Sequence, residues 1–317
     1  MHKIVALTPA GRRGYLEILA QYILRDESID EWQLWDNCRH DSDRRYINHL
    51  KDKYEKIKVV EIAGSNGSNK SINRFYGVAN RPDCFYIKLD DDIVWLPDDF
   101  GIRMYEKAVA EKNEHLWWSP LVINNALCSY WLFADGKLKT SFRLTAQASC
   151  PASWRSGVFS EKLHRQFIEL LKSDPQAESL KIRKAINLRL ARFSINCIAF
   201  FGEQVAALGE QFCPPDVDDE EWLSATLPLK TDLPGRLVGD IVVSHFSFFT
   251  QENHLVKSGL IGDYAALAGL RESRTKLHKR KVGIKKLLRG ILVGAFPGIL
   301  DIWAKLQKRD VQLMSDR

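Results

Sequence analysis

At 317 residues, 45% hydrophobic and 27% charged, the chain is long enough to bury a large core and has an ordinary globular composition. Its net charge of +6 is unevenly placed: residues 271–317 hold 13 Lys/Arg against 4 Asp/Glu, or +9, leaving −3 for residues 1–270. That pattern argues against a uniformly basic nucleic-acid-binding face, and six scattered cysteines with no CxxC pair argue against a zinc module or a disulfide framework. No apolar, uncharged run follows Met1, so neither a signal nor a transit peptide is expected, and the protein is expected in the cytoplasm.

Residues 3–8 (KIVALT) predict a first strand. The loop that follows, 9–14, carries two glycines with Arg12 and Arg13 and can bring backbone and guanidinium groups to a phosphate. Tyr15, Leu16, Ile18, Leu19, Tyr22 and Ile23 recur at helical spacing. A second strand over 31–35 ends at Asp36, a polar helix spans 41–53, and a third strand spans 58–62. A loop rich in Gly, Ser and Asn (63–70) then precedes a helix over 71–79. The apolar strand FYIKL runs directly into Asp90, Asp91 and Asp92. Three adjacent carboxylates repel one another unless a cation is near. An Asp-x-Asp turn at a strand's carboxyl end can present oxygens to Mg²⁺ or Mn²⁺, whose other positions water and diphosphate fill. Taken alone, the run is equally a solvated turn capping the next helix.

Farther on, the pattern predicts a helix over 97–112 and a strand over 116–125 continuing through 128–134. After an Asp135-Gly136 turn and an irregular stretch (140–157), residues 160–193 read as a charged helical insertion covering the site. An apolar segment (196–201), a helix (202–208), the acidic run 216–221 and a last strand (238–243) leading to His245 follow. Strand and helix alternating on this scale predict a doubly wound, mainly parallel α/β sheet. In the tail, residues 278–310 place an apolar stretch (290–300) between basic flanks. It is too short to span a bilayer but suited to lie on an anionic membrane surface; packing on the domain or a homo-oligomer contact would also use it.

Together these elements, over roughly residues 3–252, resemble the GT-A fold glycosyltransferases, and in particular those of bacterial polysaccharide synthesis. The resemblance implies a Rossmann-like domain over 1–270, with the helical insertion at 160–195 and a basic amphipathic tail at 271–317. It implies that Asp90 and Asp92 are the DxD pair holding Mn²⁺ or Mg²⁺ against a nucleotide-sugar diphosphate, and that Asp91 contacts ribose or sugar. Asp36 falls where such enzymes have an acid on the nucleoside. Asn73-Arg74-Phe75-Tyr76-Gly77 is similar to their Ala-Arg-Asn-x-Gly helix, with the order of Arg and Asn reversed. Asp219-Glu220 resembles the pair supplying the catalytic base of inverting members, and His245 stands where a third metal ligand occurs. The implied reaction moves a sugar from the nucleotide to a hydroxyl of a glycan or lipid-linked acceptor, in cell-surface polysaccharide synthesis at the inner face of the plasma membrane. The acceptor is expected over Asn124, Asn125 and residues 202–221. A sugar nucleotidyltransferase, or an idle nucleotide-binding module, is the alternative.

Overall fold

The computed structural model describes residues 2–182, 186–188 and 192–270; the expectations for residues 271–317 lie outside them. Among the described residues nine strands form one sheet: β1 (Lys3–Ala10), β2 (Glu31–Asp36), β3 (Ile57–Val60), β4 (Cys84–Leu89), β5 (Ile93–Trp95), β6 (Trp117–Ile123), β7 (Ile186–Leu188), β8 (Cys197–Phe201) and β9 (Gly235–His245). The order is β3-β2-β1-β4-β8-β6-β9-β5, with β7 alongside β9. The first four strands pair in parallel. β8 enters antiparallel between β4 and β6, and β9 then runs parallel to β6. Thus β1, β2, β3, β4, β6 and β9 share one direction, and β5, β7 and β8 oppose it. This is a mixed, mainly parallel α/β sheet with helices on both faces, consistent with the architecture that the resemblance implies.

Burial on both faces explains why the central strands read as apolar runs rather than alternating ones. All six residues of β4 and all five of β8 are buried. Helices Arg13–Arg25 and Asp41–Lys53 close the parallel half, the former burying Tyr15, Leu16, Ile18, Leu19 and Ile23 as its periodicity requires. Helix Asn69–Tyr76 is anchored by Phe75, stacked on Trp35 with ring centroids 5.3 Å apart.

Two elements depart from expectation. The predicted extended stretch 128–134 is the helix Ala126–Ala134. Asn124 takes a left-handed turn (φ 63°). Asn125 then caps the helix, its side chain accepting from the amides of Leu127 and Cys128. Among the described residues the insertion is α-helical only over Gly157–Leu171, with one further 3-10 turn at Glu178–Leu180. Pro175 disfavours the α conformation at Asp174, and beyond it Ile186 and Leu188 flank Asn187 in β7, paired to β9. That helix does not cover the site either: it packs behind β5 and β9, Phe167 against Trp95, and His164 Nε2 donating to the Phe246 carbonyl at 2.8 Å. No described helix is long and apolar enough to cross a membrane.

Candidate active site

Shared strand direction brings the carboxyl ends of β1, β2, β4 and β9 to one edge, where they line a cleft of about 730 Å³. The acidic run joins β4 to β5 and is pinned at both ends. The Asp90 amide donates to the Asn196 carbonyl at 2.9 Å, and the Phe246 amide to the Asp92 carbonyl at 2.8 Å. Because Ile93 pairs with His245 across β5 and β9, the imidazole is delivered to the acids from the far end of the chain. Asp90, Asp92 and His245 each offer a ligand atom within 4.8 Å of the others.

Each donor is oriented from behind. Lys88, buried in β4, donates to Asp90 Oδ1 at 2.5 Å and to the Ile195 carbonyl at 2.8 Å, while Asn196 Nδ2 holds Asp90 Oδ2 at 3.1 Å. His245 Nδ1 faces the Asn124 carbonyl at 3.4 Å, which leaves Nε2 toward Asp92 Oδ1, also 3.4 Å. A backbone carbonyl behind a ligating imidazole is the usual way of setting its tautomer. Burial disfavours the charged imidazole, but Asp92 outweighs it and raises the His245 pKa. Burial likewise opposes ionisation of Asp92, yet Arg12 and His245 hold that carboxyl well below the usual range.

This donor set fits a divalent cation. Two carboxylates and an imidazole suit Mn²⁺ or Mg²⁺. Ion pairs set Asp90, Asp91, Asp92 and Glu252 against Lys88 and Arg12, leaving two negative charges beside the cluster for a dication to offset.

The other sequence candidates are placed differently. Arg12 lines the cleft but clasps it together: Nε donates to Asp91 at 3.0 Å, Nη2 contacts Asp91 and Asp92, and Nη1 donates to Glu252 at 3.2 Å. Four of a guanidinium's five N–H donors are thereby engaged by carboxylates, which leaves one for a phosphate. Asp91 also lines the cleft, with its oxygens engaged by Arg12 and by the Gly11 amide at 3.1 Å. Arg13 stands at the rim, its Nε paired with Glu17.

Asp36 is buried behind the cleft, bound by Arg44 Nε at 2.7 Å and by the Cys38 amide. Its neighbour Asn37 is the residue that reaches the cleft. The Asn37 side chain ties down the Gly-Ser-Asn loop, accepting from Gly67 N at 3.1 Å and Ser71 Oγ at 2.7 Å and donating to the Ser68 carbonyl. Gly67 has φ +74°, and a Cβ there would lie 2.3 Å from Arg39 Cγ, so glycine is required. Arg74 is exposed and does not line the cleft, whereas Asn73 does, donating to the carbonyls of Pro214 and Val217. The reversed Asn-Arg order thus puts the amide, not the guanidinium, on the cleft side. Asn124 and Asn125 lie buried beneath the floor; Asn124 Nδ2 binds the Phe246 carbonyl and Gln251 Oε1, so Gln251 braces the His245 loop.

The acid run 218–221 also lines the cleft and begins a helical turn, and Arg192, which sequence reasoning missed, sorts it. Arg192 donates to Glu220 at 2.7 Å and to Asp218 at 3.1 Å, and pairs with Glu221 at 3.4 Å. Asp218 is also the helix cap. Asp219 has no ion pair among the described residues. Burial raises its pKa, and nearby Lys88 opposes the rise. Burial raises Glu220 as well, against Arg192.

No family model and no curated protein matches the chain. Solved structures do match. The mannosyltransferase PcManGT from Pyrobaculum calidifontis in complex with GDP-Man and Mn²⁺ is 14% identical, covering 96% of this chain and 80% of that one, at a TM-score of 0.46. GalNAc-T7 with UDP, GalNAc and Mn²⁺ is 10% identical, covering 78% of this chain and 44% of that one, at 0.45. The 4-diphosphocytidyl-2C-methyl-D-erythritol synthase from Anaerococcus prevotii is 15% identical, covering 84% and 96%, at 0.40. Likeness this loose places no ligand and no catalytic residue in the chain.

Proposed function

We propose that the chain is a metal-dependent glycosyltransferase, moving a sugar from a nucleotide-sugar donor to a hydroxyl of a glycan or lipid-linked acceptor with inversion. The observation that carries this reading is the meeting of two groups in one cleft. Asp90, Asp92 and His245 form a cluster that could hold a metal ion, and Asp219, an acid with no ion pair among the described residues, lines the same cleft. When bound, the cation supplies charge stabilisation for the departing diphosphate. The protein's own groups do the rest. Lys88 and Asn196 fix Asp90, and the Asn124 carbonyl orients His245. Arg192 offsets Asp218, Glu220 and Glu221, so a cluster of acids can stand near an anionic donor. Asp219 accepts the acceptor's proton, its raised pKa making it a stronger base than a solvated carboxylate. Glu220, tied to Arg192, is the supporting member of the pair.

A sugar nucleotidyltransferase is the second reading, favoured by the likeness to the synthase. The loop after β1 speaks against it: that loop has no lysine, and Arg12 is largely engaged by carboxylates. The deciding experiment is a thermal-shift screen of UDP, GDP, CDP and dTDP with and without Mn²⁺, followed by hydrolysis of the matching nucleotide sugar. A ligand raises the melting temperature only by binding the native state. Absence of any Mn²⁺-dependent shift would sink the proposal, and release of pyrophosphate from a nucleoside triphosphate and a sugar phosphate would favour the rival.

A further inference from the structure

Beyond the acidic triad and Asp219, the cleft is lined by a further group of residues. Trp154 lines it, half-buried, with Phe249 edge-on to its ring at 5.7 Å and Phe248 at 6.5 Å. This group is held from below: Thr250 Oγ1 donates to the Trp154 carbonyl at 2.6 Å and Gln251 Nε2 to the Ser153 carbonyl at 2.9 Å. The same segment then delivers Glu252, a carboxylate 6% exposed that also lines the cleft. Its Oε1 accepts from Arg12 Nη1 at 3.2 Å and from Tyr15 OH at 3.3 Å, but its Oε2 is buried with no hydrogen-bond partner among the described residues. Buried polar atoms are rarely left so, and an orphaned carboxylate oxygen in a ligand cleft calls for a donor from the ligand.

We infer that Trp154, Phe249 and Glu252 form the acceptor subsite, and that the acceptor group it takes is a sugar ring. An aromatic platform complements the C–H face of a pyranose, and a carboxylate beside it accepts from ring hydroxyls. An acyl chain would use the platform but strand Glu252 Oε2, while a lone peptide hydroxyl would use the carboxylate but not the platform. This places the acceptor against the segment that follows β9 rather than over Asn124 and Asn125, which do not line the cleft.

The inference rests on the glycosyltransferase reading, and its test separates the two. Saturation-transfer NMR would be recorded on the full chain with Mn²⁺ and the stabilising nucleoside diphosphate. The probes are methyl glycosides of glucose, galactose, mannose and N-acetylglucosamine. We expect at least one to bind the native protein and Trp154→Phe, and to bind about tenfold more weakly to Trp154→Ala and Glu252→Gln. The thermal shift by nucleoside diphosphate and Mn²⁺ should persist in Trp154→Ala; Trp154→Leu, which keeps apolar bulk without the ring, replaces it should the alanine variant not fold. Nucleotide binding without any glycoside binding, or glycoside binding undiminished in Trp154→Ala (or the Trp154→Leu that replaces it), overturns the subsite alone. Failure of every nucleotide to bind overturns the reading beneath it.

Discussion

Among single residues, the pairing of charges separates roles that the sequence leaves together. Asp218, Asp219, Glu220 and Glu221 are chemically alike and adjacent, yet Arg192 engages three of them. Asp219→Asn should therefore lower turnover by about 10²- to 10⁴-fold, the range of a general base, with nucleotide affinity retained. Glu220→Gln should cost less than about tenfold, because that oxygen is already neutralised by a cation. Steady-state kinetics paired with calorimetric nucleotide titration would read both, and equal effects would return the run to helix capping. Lys88 gives a second prediction. It is buried against Asp90, whose side chain is 28% exposed. Lys88→Met should cost about 2–3 kcal/mol, less than a fully buried pair broken on one side. A bound divalent ion offsets the same charge, so Mn²⁺ should stabilise the variant more than the native protein in urea melts. A smaller Mn²⁺ effect in the variant would mean that Lys88 does not balance the metal site. A lone lysine inside an apolar strand, two positions before an Asp-x-Asp, was the visible signal for this residue.

At the scale of elements, the strand and helix order was legible wherever burial imposes a period. The two misread stretches lack one. Residues 126–134 are apolar nearly all round, and such a run cannot be told from a buried strand by spacing alone; the paired asparagines before it were the cap signal. The insertion helix carries its own prediction. His164 is fully buried, its Nδ1 2.6 Å from Tyr264 OH and its Nε2 bonded to the Phe246 carbonyl. Burial lowers its pKa to about 4 from the ordinary 6.5. The folded pKa lies below the unfolded one, so between them the unfolded chain binds the extra proton. The contribution is complete above pH 6.5 and is lost as pH falls toward 4, about 3 kcal/mol in all. Chemical denaturation at pH 7, 5.5 and 4.5 should show this slope in the native protein and a shallower one in His164→Gln. Parallel slopes would remove His164 from the account.

For the whole molecule, the basic tail lies outside the described residues, and its membrane role is a proposal from sequence. Truncation after Ser273 should abolish sedimentation with liposomes containing phosphatidylserine while leaving the melting temperature of the remaining domain within a few degrees; liposome binding that survives truncation would locate the contact elsewhere. The sequence by itself determined the alternating α/β architecture, because apolar periodicity is a local property that survives in any context. It also brought out the acid run, and through the resemblance His245, as candidate metal donors, because adjacent carboxylates at a strand end repel one another unless a cation is near. Only the tertiary structure decided which charged groups remain available. That outcome depends on ion pairs between residues as far apart as Arg192 and Glu220, 28 positions, or Arg12 and Glu252, 240 positions. Pairings across such distances are set by the sheet order, and no spacing rule along the chain encodes them.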